Sequence, residues 1–177
     1  MEKVKIAFDL DGVIINKPPL IPKDWIEWLF RGWRKRKNGL CYRFPKSKSE
    51  IFVRKLSHFY LLRTPVKTNL KLVKKLSSDP KYDLFVVTSR YSFLKKETTI
   101  LFKKWHLNNI FKEVFLNGQD EQPHLFKERI LKELKPIIFV DDDKEIINYL
   151  EPKLKDIKFI LAEKKGRIDF DKYFLEK

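Results

Sequence analysis

Val4-Lys5-Ile6-Ala7-Phe8-Asp9-Leu10-Asp11-Gly12 begins as an apolar run and ends in two acids and a glycine. Residues 4 to 9 read as a strand of the kind a parallel sheet buries on both faces, with the acids where the strand emerges into a crevice. A second run, Ile137-Ile138-Phe139-Val140, ends the same way in Asp141-Asp142. Acids at such positions need partners, because an unpaired buried charge is too costly to keep. Asp9 and Asp11 flank Leu10, so an extended chain would turn both to one side, and Gly12 lets the backbone turn straight afterwards. Two carboxylates that close repel unless a cation joins them, and an oxygen-only pair suits Mg²⁺.

Outward from these strands, the chain alternates between the two periodicities. Residues 84 to 88 read as a strand ending in Thr88-Ser89-Arg90, 92 to 105 as a helix, and 114 to 116 as a short strand closed by Asn117-Gly118. A helix over 124 to 134, the strand 137 to 141, a helix near 143 to 150 and a strand over 158 to 161 follow. Thr64-Pro65 reads as an N-cap and first-turn proline, opening a helix with Leu70, Val73 and Leu76 on one face. This rhythm predicts an α/β chain, a three-layer Rossmann-like parallel sheet.

Residues 17 to 63 interrupt that rhythm as a small helical insertion. Asn16-Lys17-Pro18-Pro19 ends regular structure, and Asp24 can cap a helix over 25 to 31. Ser47-Lys48-Ser49-Glu50 is a capping box for a second helix, whose face carries Phe52, Leu56, Phe59 and Tyr60. The division is therefore a core of residues 1 to 16 and 64 to 177 with an insertion of 17 to 63.

Composition limits the function classes. Of 177 residues, 36% are charged and 43% apolar, and no stretch approaches the ~20 apolar residues of a membrane span. No secretory signal is read at the start, and a lone Cys41 cannot form an internal disulfide, so the sequence reads as cytoplasmic. The formal charge of +15 is concentrated: residues 17 to 67 hold 14 Lys/Arg against 3 Asp/Glu, a net of +11. Scattered lysines are often only solvated surface, but this concentration beside paired acids points to an anionic substrate.

The chemistry read from the strand ends is phosphoryl transfer. Asp9 can attack phosphorus while Asp11 protonates the leaving oxygen and later activates water, with Asp141 and Asp142 completing a Mg²⁺ site. Thr88 and nearby N–H groups could hold a phosphate oxygen, although a Thr after a strand is more often a helix cap. Lys127 stands in the first turn of its helix, where a cation opposes the helix dipole by ~0.3 to 1 kcal/mol, so an anion there should reward it. Ser89 and Arg90 are read as substrate-binding. Arg90 would anchor a second phosphate or a carboxylate, with a surface salt bridge as the plain alternative. His58, His106 and His124 have no ligand spacing and read as structural or surface residues.

Phe8-Asp9-Leu10-Asp11-Gly12-Val13, strand-terminal Thr88, Lys127 fourteen positions before Asp141, and Asp141-Asp142 resemble the four motifs of the haloacid dehalogenase-like phosphatase superfamily. Within it, Thr88-Ser89-Arg90 and the Asp-Asp pair are similar to the 5′-nucleotidase branch. The resemblance implies a C1-type cap in residues 17 to 63. It also implies Mg²⁺ ligands from the Asp9 side chain, the Asp141 or Asp142 side chain and the Asp11 backbone carbonyl. Val13 stands where many members have Thr. The expected substrate is a nucleotide or a similar small phosphorylated metabolite.

Trp25, Ile26, Trp28, Leu29, Phe30 and Trp33, flanked by Arg31 and by the basic run 34 to 37, admit three readings. They are a cap core packed over the site, a base-stacking surface, or a basic amphipathic helix on a membrane surface. Two rival functions follow from the basic insertion: an end-processing phosphatase for RNA or DNA, and a non-enzymatic nucleic-acid-binding module on the same fold. The sequence leaves open the oligomeric state and which of Trp33, Tyr42, Arg43 and Tyr60 faces the site.

Overall fold

The computed structural model describes residues 3–17, 40, 42, 44–45, 47–162 and 168. The helix expected over 25 to 31, with its tryptophans, Cys41 and Arg43 lie outside the described residues. Five parallel strands, β1 (Val4–Phe8), β2 (Tyr82–Tyr91), β3 (Glu113–Asn117), β4 (Ile138–Asp141) and β5 (Lys158–Leu161), form one sheet in the order β3-β2-β1-β4-β5. The chain steps outward from β1 to β2 and β3, then returns to the other side of β1. That reversal leaves the carboxyl ends of β1 and β4 side by side, and it is where an open α/β sheet forms its crevice.

The helices are α1 (Lys48–Ser57), α2 (Lys67–Ser77), α3 (Lys95–Lys104), α4 (Pro123–Leu134) and α5 (Lys144–Leu150). Alternating strand residues feed the two sides of the sheet, as a two-residue side-chain period requires. Ile6, Phe8, Val86 and Val140 pack with Val73 of α2 and Leu101 of α3. Ala7, Val87 and Phe139 pack with Phe126 and Leu131 of α4 and with Ile146 and Leu150 of α5. Both faces are covered, which is why the strands read as unbroken apolar runs. Among the described residues no helix is long and apolar enough to cross a membrane.

Several boundaries differ from the sequence reading, each for a local reason. Thr64-Pro65 does not open α2, which starts at Lys67. Instead the Thr64 carbonyl accepts from the Asn16 backbone at 2.8 Å, Pro65 pairs with Ile15, and the Val66 amide donates to Ile14 at 2.9 Å. β2 runs on to Tyr91 because its pairing with β3 shifts after Thr88, absorbing Ser89 and Arg90 before Tyr91 pairs with Asn117. The stretch 92 to 94 is a 3₁₀ turn ahead of α3, pinned by Asp120, which accepts from the Ser92 amide at 2.7 Å and hydroxyl at 2.8 Å.

α1 has the expected capping box, but its orientation is the reverse of its apolar pattern. Its buried residues are Arg54 and Ser57, while Phe52, Val53 and Leu56 are exposed. The Arg54 guanidinium lies over the Tyr91 ring, 5.6 Å from its centroid, so the inward face is held by charge and ring rather than by an aliphatic seam.

Phe139 sits fully buried in β4 between α4 and α5. Phe139→Ala should lower the unfolding free energy by about 3–5 kcal/mol in urea denaturation. A loss below about 1 kcal/mol would contradict this account of the core.

Candidate active site

Asp9 is the first residue after β1 and Asp141 the last of β4, and the Asp9 amide donates to the Val140 carbonyl at 2.8 Å. Two buried carboxylates are thus set beside each other at the switch in strand order. Lys127 reaches both, from the second turn of α4 rather than the expected first because the helix opens at Pro123: its ammonium lies 3.2 Å from Asp9 Oδ1 and 2.7 Å from Asp141 Oδ2. It is 2% exposed. The other Asp141 oxygen accepts from the Asp143 amide at 3.0 Å, and Asp143 in turn caps α5 by accepting from the Glu145 amide at 3.0 Å. Asp142 turns into the same cluster and pairs with Lys17.

One oxygen from each of Asp9, Asp141 and Asp142 lies within 4.8 Å of the others. Burial drives the Asp9 carboxyl upward, Lys127 opposes it, and Asp141 and Asp142 add to the rise, so that it is pushed up to about 7. Burial also raises Asp142 against the opposing pull of Lys17. Burial alone would depress the Lys127 ammonium, yet Asp141 and Asp9 together outweigh it and hold it above its usual range. Three converging carboxylates, two of them lifted from their ordinary values, are a donor set short of positive charge. Their all-oxygen chemistry fits Mg²⁺. Gly12 makes room for the arrangement: its φ is +84°, and a Cβ there would overlap the Asp142 carboxylate.

Asp11 does not face this cluster with its carboxylate. The chain after Asp9 is not extended: the Ile14 and Ile15 amides both donate to the Leu10 carbonyl, and the Gly12 amide donates to Ile15 at 2.7 Å. That tight loop separates the two acids. Arg90 Nε and Nη2 each donate to one Asp11 oxygen at 2.7 Å, and Arg63 adds a further pair. Arg90, read from sequence as a substrate anchor or surface bridge, is therefore a buried partner of Asp11 and also donates to Thr98 Oγ1 at 3.1 Å. Thr88 is buried in β2, two residues past Val86, the partner of Phe8. Ser89 reaches the Pro123 carbonyl only at 3.5 Å, at the start of α4.

Sequence reasoning passed over Lys17, Arg54 and Arg63, because one basic residue in a basic stretch gives no signal of its own. Tyr42, one of four aromatic and basic candidates, is fastened at the mouth. Its hydroxyl donates to Asp143 Oδ2 at 2.5 Å, and the Gln122 side chain accepts from its amide at 2.9 Å and donates to its carbonyl at 3.1 Å. His58, read as structural or surface, is buried: its Nδ1 lies 2.8 Å from the Arg54 carbonyl and its Nε2 3.9 Å from Asp11 Oδ2.

Two outcomes test these charges. Lys127→Met leaves Asp9 and Asp141 buried without their cation and should cost about 3–5 kcal/mol of stability in urea denaturation with EDTA. His58 faces Arg90, Arg54 and Asp11, and burial, with Arg90 next, pushes it down to about 3 from an ordinary 6.5. The folded value is the lower one, so the stability contributed by its neutral form is present above pH 6.5 and lost as pH falls through that window. The slope is up to about 1.4 kcal/mol per pH unit. Between pH 6.5 and 4.5, His58→Gln should flatten the stability profile by about that slope; an unchanged profile would show that His58 is not held neutral.

No protein-family model and no curated protein sequence matches the chain. Solved structures do. A haloacid dehalogenase-like family hydrolase from Streptococcus pneumoniae is similar over 96% of this chain and 89% of its own, at 15% identity and a TM-score of 0.58. A haloacid dehalogenase-family enzyme from Bacteroides thetaiotaomicron, solved with magnesium and inorganic phosphate, is similar over 92% of this chain and 95% of its own, at 11% identity and 0.53. A chain of the Pnkp1/Rnl/Hen1 RNA repair complex is similar over 95% of this chain but 44% of its own, at 11% identity and 0.52. At these identities the likeness is one of architecture, and the protein has the haloacid dehalogenase-like fold.

Proposed function

We propose that the chain is a Mg²⁺-dependent phosphomonoester hydrolase that works through an aspartyl phosphate on Asp9, with a nucleotide or similar small phosphorylated metabolite as substrate. One observation carries the reading: at the strand-order switch, Asp9 shares a buried cluster with Lys127, Asp141 and Asp142. The haloacid dehalogenase-like fold supports it. Asp9, Asp141 and Asp142 would hold Mg²⁺, with the Asp11 carbonyl as the further ligand that the resemblance implies. The bound ion would offset the charge that otherwise keeps a phosphate dianion from an anionic nucleophile.

The rest of the chemistry falls to the chain. An Asp9 oxygen attacks phosphorus, the bond to the leaving oxygen breaks, and Asp11, protonated and turned away from Arg63 and Arg90, gives that oxygen its proton. Water then attacks the same phosphorus, Asp11 takes a proton from it, and the bond to Asp9 breaks to release phosphate. Lys127 and the Thr88 hydroxyl would steady the phosphoryl oxygens during both displacements. Residues 17 to 63 would act as the cap that excludes water from the first.

A second reading, removal of phosphate from RNA or DNA ends, is favoured by the net +11 of residues 17 to 67 and by the similarity to a chain of an RNA repair complex. Phosphate release should be followed with Mg²⁺ or EDTA on nucleoside monophosphates, sugar phosphates and 5′- or 3′-phosphorylated oligonucleotides. Release from a mononucleotide is expected to need Mg²⁺ and to fall by at least about 10³-fold in Asp9→Asn with the fold intact. Release confined to oligonucleotides and steeply salt-dependent would select the second reading. Full activity in Asp9→Asn would overturn the mechanism.

A further inference from the structure

Behind Asp11, three guanidiniums and an imidazole are packed out of contact with solvent: Arg54, Arg63 and Arg90 are 1%, 2% and 4% exposed, and His58 lies among them. Arginines are almost never this buried without anions. Among the described residues, Asp11 is the acid paired with Arg63 and with Arg90, and Arg63 Nε is buried without a hydrogen-bond partner. Arg63 also feels the fields of Asp142 and Asp9, and Arg90 those of Asp9 and Glu97, so both guanidiniums lie within electrostatic reach of the three-carboxylate cluster.

The donors are arranged as a phosphate would need them. Arg90 presents Nε and Nη2 as a fork, with both bonds at 2.7 Å, and Arg63 Nη2 donates to one of the same oxygens. A carboxylate and a phosphate fit such a fork in the same way. Asp11 now fills it with both oxygens. To serve a leaving oxygen as acid, Asp11 would have to present an oxygen that these donors now hold. Two buried cations would then lose the anion directly paired with them, an arrangement costlier than the intact pair.

We propose that Arg63 and Arg90 form an anion subsite, filled here by the Asp11 carboxylate, that receives a second phosphate group of the substrate beside the phosphoryl group held at Asp9. The proposal rests on the phosphoryl-transfer reading above. The second phosphate is either the other monoester of a small bisphosphate or the first diester of a strand end.

Calorimetric titration of the Asp9→Asn chain in Mg²⁺ separates these, using adenosine 5′-monophosphate, adenosine 3′,5′-bisphosphate and the 5′-phosphorylated adenylyl dinucleotide. A second phosphate should tighten binding by about tenfold or more, and the stronger of the last two probes identifies its source. Arg63→Gln and Arg90→Gln should collapse the ratio towards one, Arg63→Lys should retain part of it, and Lys96→Gln, which removes a charge from exposed α3, should leave it unchanged. Equal affinity for all three probes overturns the subsite even if no arginine variant folds, as does a ratio that survives Arg63→Gln or falls equally in Lys96→Gln. Binding is read without turnover. An intact ratio in a chain that releases no phosphate would sink the hydrolase reading alone, and turnover indifferent to a second phosphate would sink the subsite alone.

Discussion

One ammonium holds the site together. Lys127 spans from α4 to the ends of β1 and β4, touching Asp9 and Asp141 where both carboxylates are buried. Its own burial is tolerated because two anions meet it, and theirs because it meets them. The balance is incomplete, since Asp142 joins the cluster as a third acid and Asp9 stays lifted towards neutrality. The strand order and the Gly12 turn bring these groups within reach of each other. The cluster is left short of positive charge, the condition on which the proposed cation and phosphate site rests.

Asp11 inverts this pattern. Two residues along the chain, an acid is outnumbered by buried guanidiniums instead of by other acids. The loop closed by Leu10, Gly12 and Ile15 turns two neighbouring aspartates into opposite environments, one short of positive charge and one rich in it. Environment rather than residue type distinguishes the two carboxylates, as general acid–base chemistry requires of paired acids.

The sheet was legible because its strands are covered on both sides. Apolar runs ending in acids located the ends of β1 and β4, and β5 matches its expected span. Local signals failed where pairing across the fold outweighed them. Thr64-Pro65 carries a helix-start signature but is claimed by Ile15 and Asn16, and Ser92 is claimed by Asp120. The apolar period of α1 gave a helix but not its orientation, because an arginine stacked on Tyr91 took the inward side. Asp9, Lys127 and Asp141 could be found from spacing along the chain. Arg63 could not: it follows Leu61 and Leu62 in an unremarkable basic stretch, and it reaches Asp11 only through the fold, across 52 positions of sequence.

Residues 14 to 16 and 64 to 66 run side by side and hold together the two ends of the stretch between Lys17 and Arg63. Asn16 bonds Thr64, Ile15 pairs with Pro65, and Val66 returns a bond to Ile14. These contacts belong to the core side, so the distance between the two ends is fixed whatever lies between them. Doubling the length of a flexible segment whose ends are already held together costs only about 0.6 kcal/mol. The pairing therefore fixes the two ends but does not make the segment interchangeable: Tyr42, Arg54 and Arg63 lie within it and reach Asp143, Tyr91 and Asp11, so a change of length is cheap only where it spares those contacts.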